Sequence, residues 1–298
     1  MFKAKTVKDA LEHAWNLKWS KARGSHAKEY LKNKVAEEIG DVKLPKCDYN
    51  RIEQWVMDLQ EADKAAATIK SRLYCLSFAL KLAAKKGWIS AAPPLPEVET
   101  GGAKIRWLQD EPDEEALILK ACGALSPDAC RVMQFALVFL LDTGCRLSEL
   151  LKFRWRGLSE KGALFENRKA GDNLRVPLTP RARQAIEALL EDRYWLARVR
   201  GADVDSKRCR SAQNWMTHQF TVVRDHAGLR DVTLHTMRHT CASRLVQAGV
   251  SLYEVRRLLG HSSITVTERY AHLAPTGLER AVDVLARRAL PNKVRQIR

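Results

Sequence analysis

A few side chains along this chain are of types and spacings that can do chemistry. His235, Arg238 and His239 recur at i, i+3 and i+4, so a helix over this stretch presents all three on one polar face. Two histidines four apart can share a zinc ion, but Thr236 stands where a zinc-protease helix carries its glutamate, and no metal is expected. Arg146 precedes Leu147-Ser148-Glu149-Leu150, where its guanidinium can pair with Glu149 at a helix entrance. His261 follows Gly260 at the end of a helical run, a place the helix dipole favours for an imidazolium. Tyr270 carries a phenol, a core aromatic by default and a nucleophile once deprotonated. Taken singly, each residue has an ordinary structural explanation.

In chain order the pieces are Thr-Gly-Cys-Arg-Leu-Ser-Glu-Leu at 143–150, Lys169 in a hairpin, His-Thr-Met-Arg-His at 235–239, Leu-Gly-His at 259–261 and Arg-Tyr at 269–270. The series closely resembles the tyrosine recombinase, or phage integrase, family over about residues 105–275. The helical segment before it resembles, more loosely, the family's core-site-binding domain. The resemblance makes Arg146 and Arg238 the two catalytic arginines, with His235 three residues before the second. Glu149 matches the supporting acidic position, and His239 is taken as a second supporting residue. Lys169, seven residues before Val176, matches the hairpin lysine; His261 matches the second histidine, and Tyr270, nine residues later, the nucleophile.

What the resemblance implies is chemically coherent. Attack on a phosphodiester needs negative charge neutralised on two nonbridging oxygens, which planar guanidinium forks do bidentately. Tyr270 would attack phosphorus, Lys169 would protonate the leaving 5′ oxygen, and a covalent 3′-phosphotyrosyl link would result. His235 is expected to give acid-base help near the tyrosine and His261 a hydrogen bond to the phosphate. One ester replaces another, so neither ATP nor a divalent metal is required and no cofactor is expected. The implied partners are double-stranded DNA at specific attachment or resolution sites and copies of the same chain in a synaptic tetramer exchanging strands through a Holliday junction. Accessory DNA-bending proteins are left open. A type IB-like topoisomerase shares this constellation, and a non-catalytic architectural DNA-binding protein shares the charge.

The elements that must position these residues are mainly α. At 298 residues the chain exceeds what one core usually serves, and Lys plus Arg number 51 against 35 Asp plus Glu, a formal +16 spread along its length. That favours a polyanionic partner with a long footprint. Apolar residues return every three or four positions from Thr6 to Gly87, giving four helices and a first domain at residues 1–92. In the fourth, Ile69, Leu73, Leu76, Leu80 and Ala84 share one face, while Lys70, Lys81, Lys85 and Lys86 occupy the other, as a solvated face or as phosphate contacts. Pro93, Pro94 and Pro96 with Gly101 and Gly102 mark a linker at 93–104.

A second, larger helical domain follows over 105–275. Its core helix is predicted from Pro127 to Asp142, with Gly144 just past its end. Apolar pieces at 163–165 and 174–178, separated by Lys169-Ala170-Gly171-Asp172-Asn173, predict a small antiparallel sheet. Helices are predicted near 181–194, 211–227, 235–248, 251–259, 263–271 and 276–290. The last belongs to a C-terminal helix and tail at 276–298, which packs on its own domain or, as the resemblance suggests, docks on a neighbouring protomer. The helical domain begins almost at Met1, where many phage integrases carry an additional arm-site-binding domain, so the chain is either of a simpler two-domain kind or truncated. Seven cysteines without a Cys-x-x-Cys pair read as reduced, packed thiols, and no membrane-length apolar run or signal peptide is seen, so the expected location is the cytoplasm.

Overall fold

The computed structural model describes residues 4–20, 25–99, 105–166, 173–199 and 207–275, together with residue 282. The chain divides into two compact units, Met1–Lys104 and Ile105–Arg298. It is mainly α with one small antiparallel sheet, as the periodicities predict.

The first unit holds α1 (Val7–Ala14), α2 (Ser25–Ile39), α3 (Tyr49–Glu61) and α4 (Ala66–Lys85), with a π-helical turn at Trp15–Trp19. Thr6 begins α1 because its hydroxyl accepts from Asp9 N while Asp9 Oδ2 accepts from Thr6 N at 3.0 Å, satisfying two amides left over at the helix start. Asp48 begins α3 in a similar way, accepting from Arg51 N at 2.9 Å. Helix α4 buries Ile69, Leu73, Leu76, Leu80 and Ala83 against the other helices, and Lys70, Lys81, Lys85 and Lys86 are exposed. The proline stretch has no regular secondary structure, yet Ala92, Leu95 and Val98 pack on this core, so it is a strap on the first unit rather than a free tether.

The second unit is organised on α6 (Pro127–Thr143), preceded by α5 (Glu114–Ala121). Val132, Met133, Ala136, Phe139 and Leu140 are buried at helical spacing, and a fully buried Leu or Phe contributes roughly 1.5–3 kcal/mol. After the short α7 (Leu147–Lys152) comes a sheet of β1 (Leu158–Ser159), β2 (Gly162–Phe165) and β3 (Leu174–Val176), antiparallel in that order, with Ala163 opposite Val176 and Phe165 opposite Leu174. Phe153, Phe165 and Phe139 tie sheet to helix, with ring centroids 5.5–6.4 Å apart. Strand β1 is two residues long, too short to show an alternation, and the sequence pattern does not reveal it.

The helix expected over 181–194 is two helices, α8 (Pro180–Glu191) and α9 (Arg193–Val199). Asp192 separates them: its backbone is extended and its carboxylate accepts from Trp195 N at 2.9 Å, starting a new helix. Then come α10 (Lys207–His226), α11 (Leu234–Gln247) and α12 (Leu252–Leu259). The helix expected over 263–271 is shorter, α13 (Thr265–Glu268) followed by a 3-10 turn at Ala271–Leu273. The helix expected at 276–290 lies outside the described residues, apart from residue 282.

Charged side chains lace these helices together. Glu115, on α5, accepts from Arg181 of α8 at 2.7 Å and from Arg244 of α11 at 2.5 Å, while Arg181 also binds Asp142 near the end of α6. The cysteines are all free thiols, buried except for Cys130, which is half-buried. No helix among the described residues is long and apolar enough to cross a membrane.

Candidate active site

Two turns and one helix of the second unit bring the residues together. The first is the end of α6, where Gly144 adopts φ 59°, a left-handed conformation that stops the helix. A Cβ there would also lie 2.5 Å from Leu259 Cδ2 and 3.1 Å from Cys241 Sγ. The backbone therefore favours glycine, and any larger residue would also have to displace the Leu259 methyl. Two residues on, Arg146 starts α7. Glu149 holds it at both ends, accepting from Arg146 N at 2.8 Å and from Nη1 at 3.0 Å. This is the pairing the sequence suggests, and it leaves the guanidinium partly exposed.

Helix α11 supplies the second group. Its spacing sets His235, Arg238 and His239 on one face, with the two imidazoles edge to face at 4.7 Å. Arg238 is buried, and its fork spans two other turns: Nη1 donates to Gly144 O at 2.6 Å and Nη2 to Leu259 O at 2.9 Å. One guanidinium thus clasps the turn that carries Arg146 to the turn that carries His261. Both bonds are to neutral carbonyls.

The third group follows α12, which ends at Gly260 with φ 64°. His261 Nδ1 lies 2.9 Å from Thr267 Oγ1. Tyr270 is 2% exposed and packs with Ala242, Val246, Val255 and Leu259. Its hydroxyl lies 2.6 Å from His239 Nδ1.

The electrostatics favour neutral partners at that bond. Burial, then His235, Arg269 and Arg238, push His239 down to about 4, so its imidazole is uncharged at neutral pH. Burial raises the Tyr270 phenol above its usual value, and the positive charges of Arg238 and Arg269 oppose that rise. With the phenol protonated and the imidazole neutral, the hydroxyl donates and Nδ1 accepts. His235 is held below its ordinary value by desolvation, then by Arg238, Arg146 and Arg269. His235 is exposed as a residue, so solvent tempers both causes.

The structure therefore gathers Arg146, Glu149, His235, Arg238, His239, His261 and Tyr270 in one region of the second unit. It differs from the expectation in one contact: His239, not His235, meets the tyrosine, with His235 one ring behind. Position i+4 on α11 reaches the phenol where position i does not, a distinction that motif spacing alone cannot make. Lys169 lies outside the described residues. Lys70, Lys81, Lys85 and Lys86 belong to the first unit. Thr267 escapes the sequence reading, its one signal being its place three residues before Tyr270, and Arg269, quoted there only as part of Arg-Tyr, has a charge that reaches His235, His239 and the phenol. Among the described residues no cluster of three or more His, Cys, Asp or Glu is placed to hold a metal ion.

Comparison with known proteins places this geometry among relatives. The model of the phage integrase family matches residues 110–276. The integrase of Salmonella phage P22 is 26% identical over 243 residues, 76% of this chain and 60% of that protein. Tyrosine recombinase XerC of Xanthomonas axonopodis pv. citri is 30% identical over 254 residues, 83% of this chain and 80% of the relative. In other XerC proteins the matched part is about half of the relative's length. Among solved structures, a lambda integrase tetramer bound to a Holliday junction superposes with a TM-score of 0.68 at 19% identity, covering 89% of this chain and 77% of that one. At that identity the likeness is one of fold.

Proposed function

The chain belongs to the phage integrase family of tyrosine recombinases, and from that premise we propose that it breaks and rejoins DNA at specific sites through a covalent 3′-phosphotyrosyl intermediate. The observation that carries this reading is the Tyr270 hydroxyl held 2.6 Å from a neutral imidazole within the field of Arg238 and Arg269. A phenol so placed has both an acceptor for its proton and positive charge to favour the phenolate.

Arg146 and Arg238 take the nonbridging phosphate oxygens, and His261 adds a hydrogen bond to one of them. Tyr270 Oη attacks phosphorus and its proton goes to His239 Nδ1, with His235 next in line. The P–O5′ bond breaks and the 5′ oxygen takes a proton from Lys169. The phosphotyrosyl ester keeps the bond energy for rejoining, so the reaction draws on no ATP and no metal. Attack by the 5′ hydroxyl of a second duplex would exchange strands, giving a Holliday junction within a tetramer of this chain. The first unit contributes DNA contacts through Lys70, Lys81, Lys85 and Lys86, as a core-site-binding domain at 1–92 joined through 93–104 to a catalytic domain at 105–275. The reduced thiols fit a cytoplasmic setting.

A nicked suicide duplex carrying attachment sites from the protein's own locus tests the reading, with chelator present. Wild type should give a denaturation-resistant protein–DNA adduct. Tyr270→Phe should bind the same DNA and give none. An adduct from Tyr270→Phe, or no wild-type adduct on DNA that is demonstrably bound, would overturn it.

A further inference from the structure

We propose that Thr267 is a positioning residue that sets the plane of the His261 ring and joins it to the backbone of the nucleophile; this deepens the recombinase reading and rests on it. Thr267 is 0% exposed, and its hydroxyl oxygen lies 2.9 Å from His261 Nδ1. Its own carbonyl accepts from Tyr270 N at 3.0 Å, and its amide donates to Ile264 O at 2.7 Å. One buried residue therefore holds the histidine through its side chain and the tyrosine through its main chain.

The chemistry of the hydroxyl suits this task. A buried hydroxyl without a partner costs roughly 1–3 kcal/mol, and here the partner is an imidazole rather than a carbonyl of its own helix. The hydroxyl both donates and accepts, so it serves either tautomer of His261 and fixes the ring plane rather than the proton. With Nδ1 engaged by Thr267, Nε2 is the nitrogen presented to a phosphate oxygen. Thr267 touches no reacting atom; it acts through His261. Its main-chain bond to Tyr270 means that ring and nucleophile keep their spacing when the segment around α13 shifts. Valine has nearly the shape of threonine without the hydroxyl, so it separates hydrogen bonding from space filling.

The test uses the full chain and the nicked suicide duplex, reading the single-turnover rate of adduct formation, DNA affinity and thermal melting. The Thr267→Val change should slow adduct formation about tenfold with DNA affinity unchanged, and Thr267→Ser, which keeps the hydroxyl, should recover most of the rate. In a His261→Asn background Thr267→Val should have no further effect, because the two act as one unit. The proposal is overturned by a Thr267→Val rate equal to wild type, by an equal loss in both backgrounds, or by failure of serine to recover the rate. Should valine lower the melting temperature, Thr267→Ala is read through the same cycle, since coupling to His261 and not the single loss is the criterion. A His261 imidazole nitrogen spectrum showing free ring averaging in wild type would also overturn it. Absence of any wild-type adduct on bound DNA would instead bring down the functional reading itself.

Discussion

At the scale of single residues, the burial of His239 among positive charges has a consequence for acid stability. Folding lowers His239 from 6.5 to about 4 and also lowers His235. Between those limits the unfolded chain binds more protons than the folded one, so stability rises with pH through the window and falls as pH drops from about 6.5 toward 4. Thermal melts across this range should show that decline, and His239→Gln should flatten part of it. An unchanged slope in the variant would mean that His239 is not held neutral by its surroundings. The candidate site residues are legible from Arg146 to Tyr270 because each sits in a short motif of its own. Which histidine touches the phenol is not, since that depends on how α11 packs against a segment thirty residues later in the chain.

The helices supply the next scale, and here the helix ends matter more than the middles. Apolar periodicity locates α4, α6 and α11 because each buries one stripe. The break at Asp192 escapes it because α8 and α9 each continue the same apolar spacing, and the interruption is a local hydrogen bond to Trp195 N. The stop at Gly144 is legible as a glycine after an apolar run, but not its contact with Leu259, which lies over a hundred residues away. From that contact Gly144→Ala should destabilise the chain, since a left-handed alanine costs about 1–2 kcal/mol before any clash. Adding Leu259→Ala should relieve the clash and leave the backbone strain. Denaturant unfolding of the two single variants and the pair checks this: simple additivity would show that the close approach of the two residues carries no energy. Phe139→Ala should cost about 3–5 kcal/mol by the same measurement, being wholly buried among Phe153 and Phe165.

For the molecule as a whole, charge is used in two ways. Inside the second unit, Glu115 stands between Arg181 and Arg244 and is almost fully buried. Replacing it by glutamine leaves Arg181 with Asp142 and Arg244 with Asp110, both arginines being partly exposed, so the expected loss is about 1 kcal/mol, read by denaturant unfolding. A loss near zero would make the lattice incidental. On the outside, under the proposed function, the formal +16 sets affinity for DNA and makes it depend on salt. Changing Lys70, Lys81, Lys85 and Lys86 together to glutamine should reduce the slope of log K against log salt by up to about four counterions' worth, measured by titration at several ionic strengths. An unchanged slope would return those lysines to an ordinary solvated face.

The depth of Tyr270 has one more implication. Its ring is 2% exposed, while Tyr30, Tyr74 and Tyr253 are 66%, 75% and 60% exposed. A tyrosine-selective reagent such as a nitrating or iodinating agent would label those three first and spare Tyr270. On the proposed function the same shielding is a safety catch.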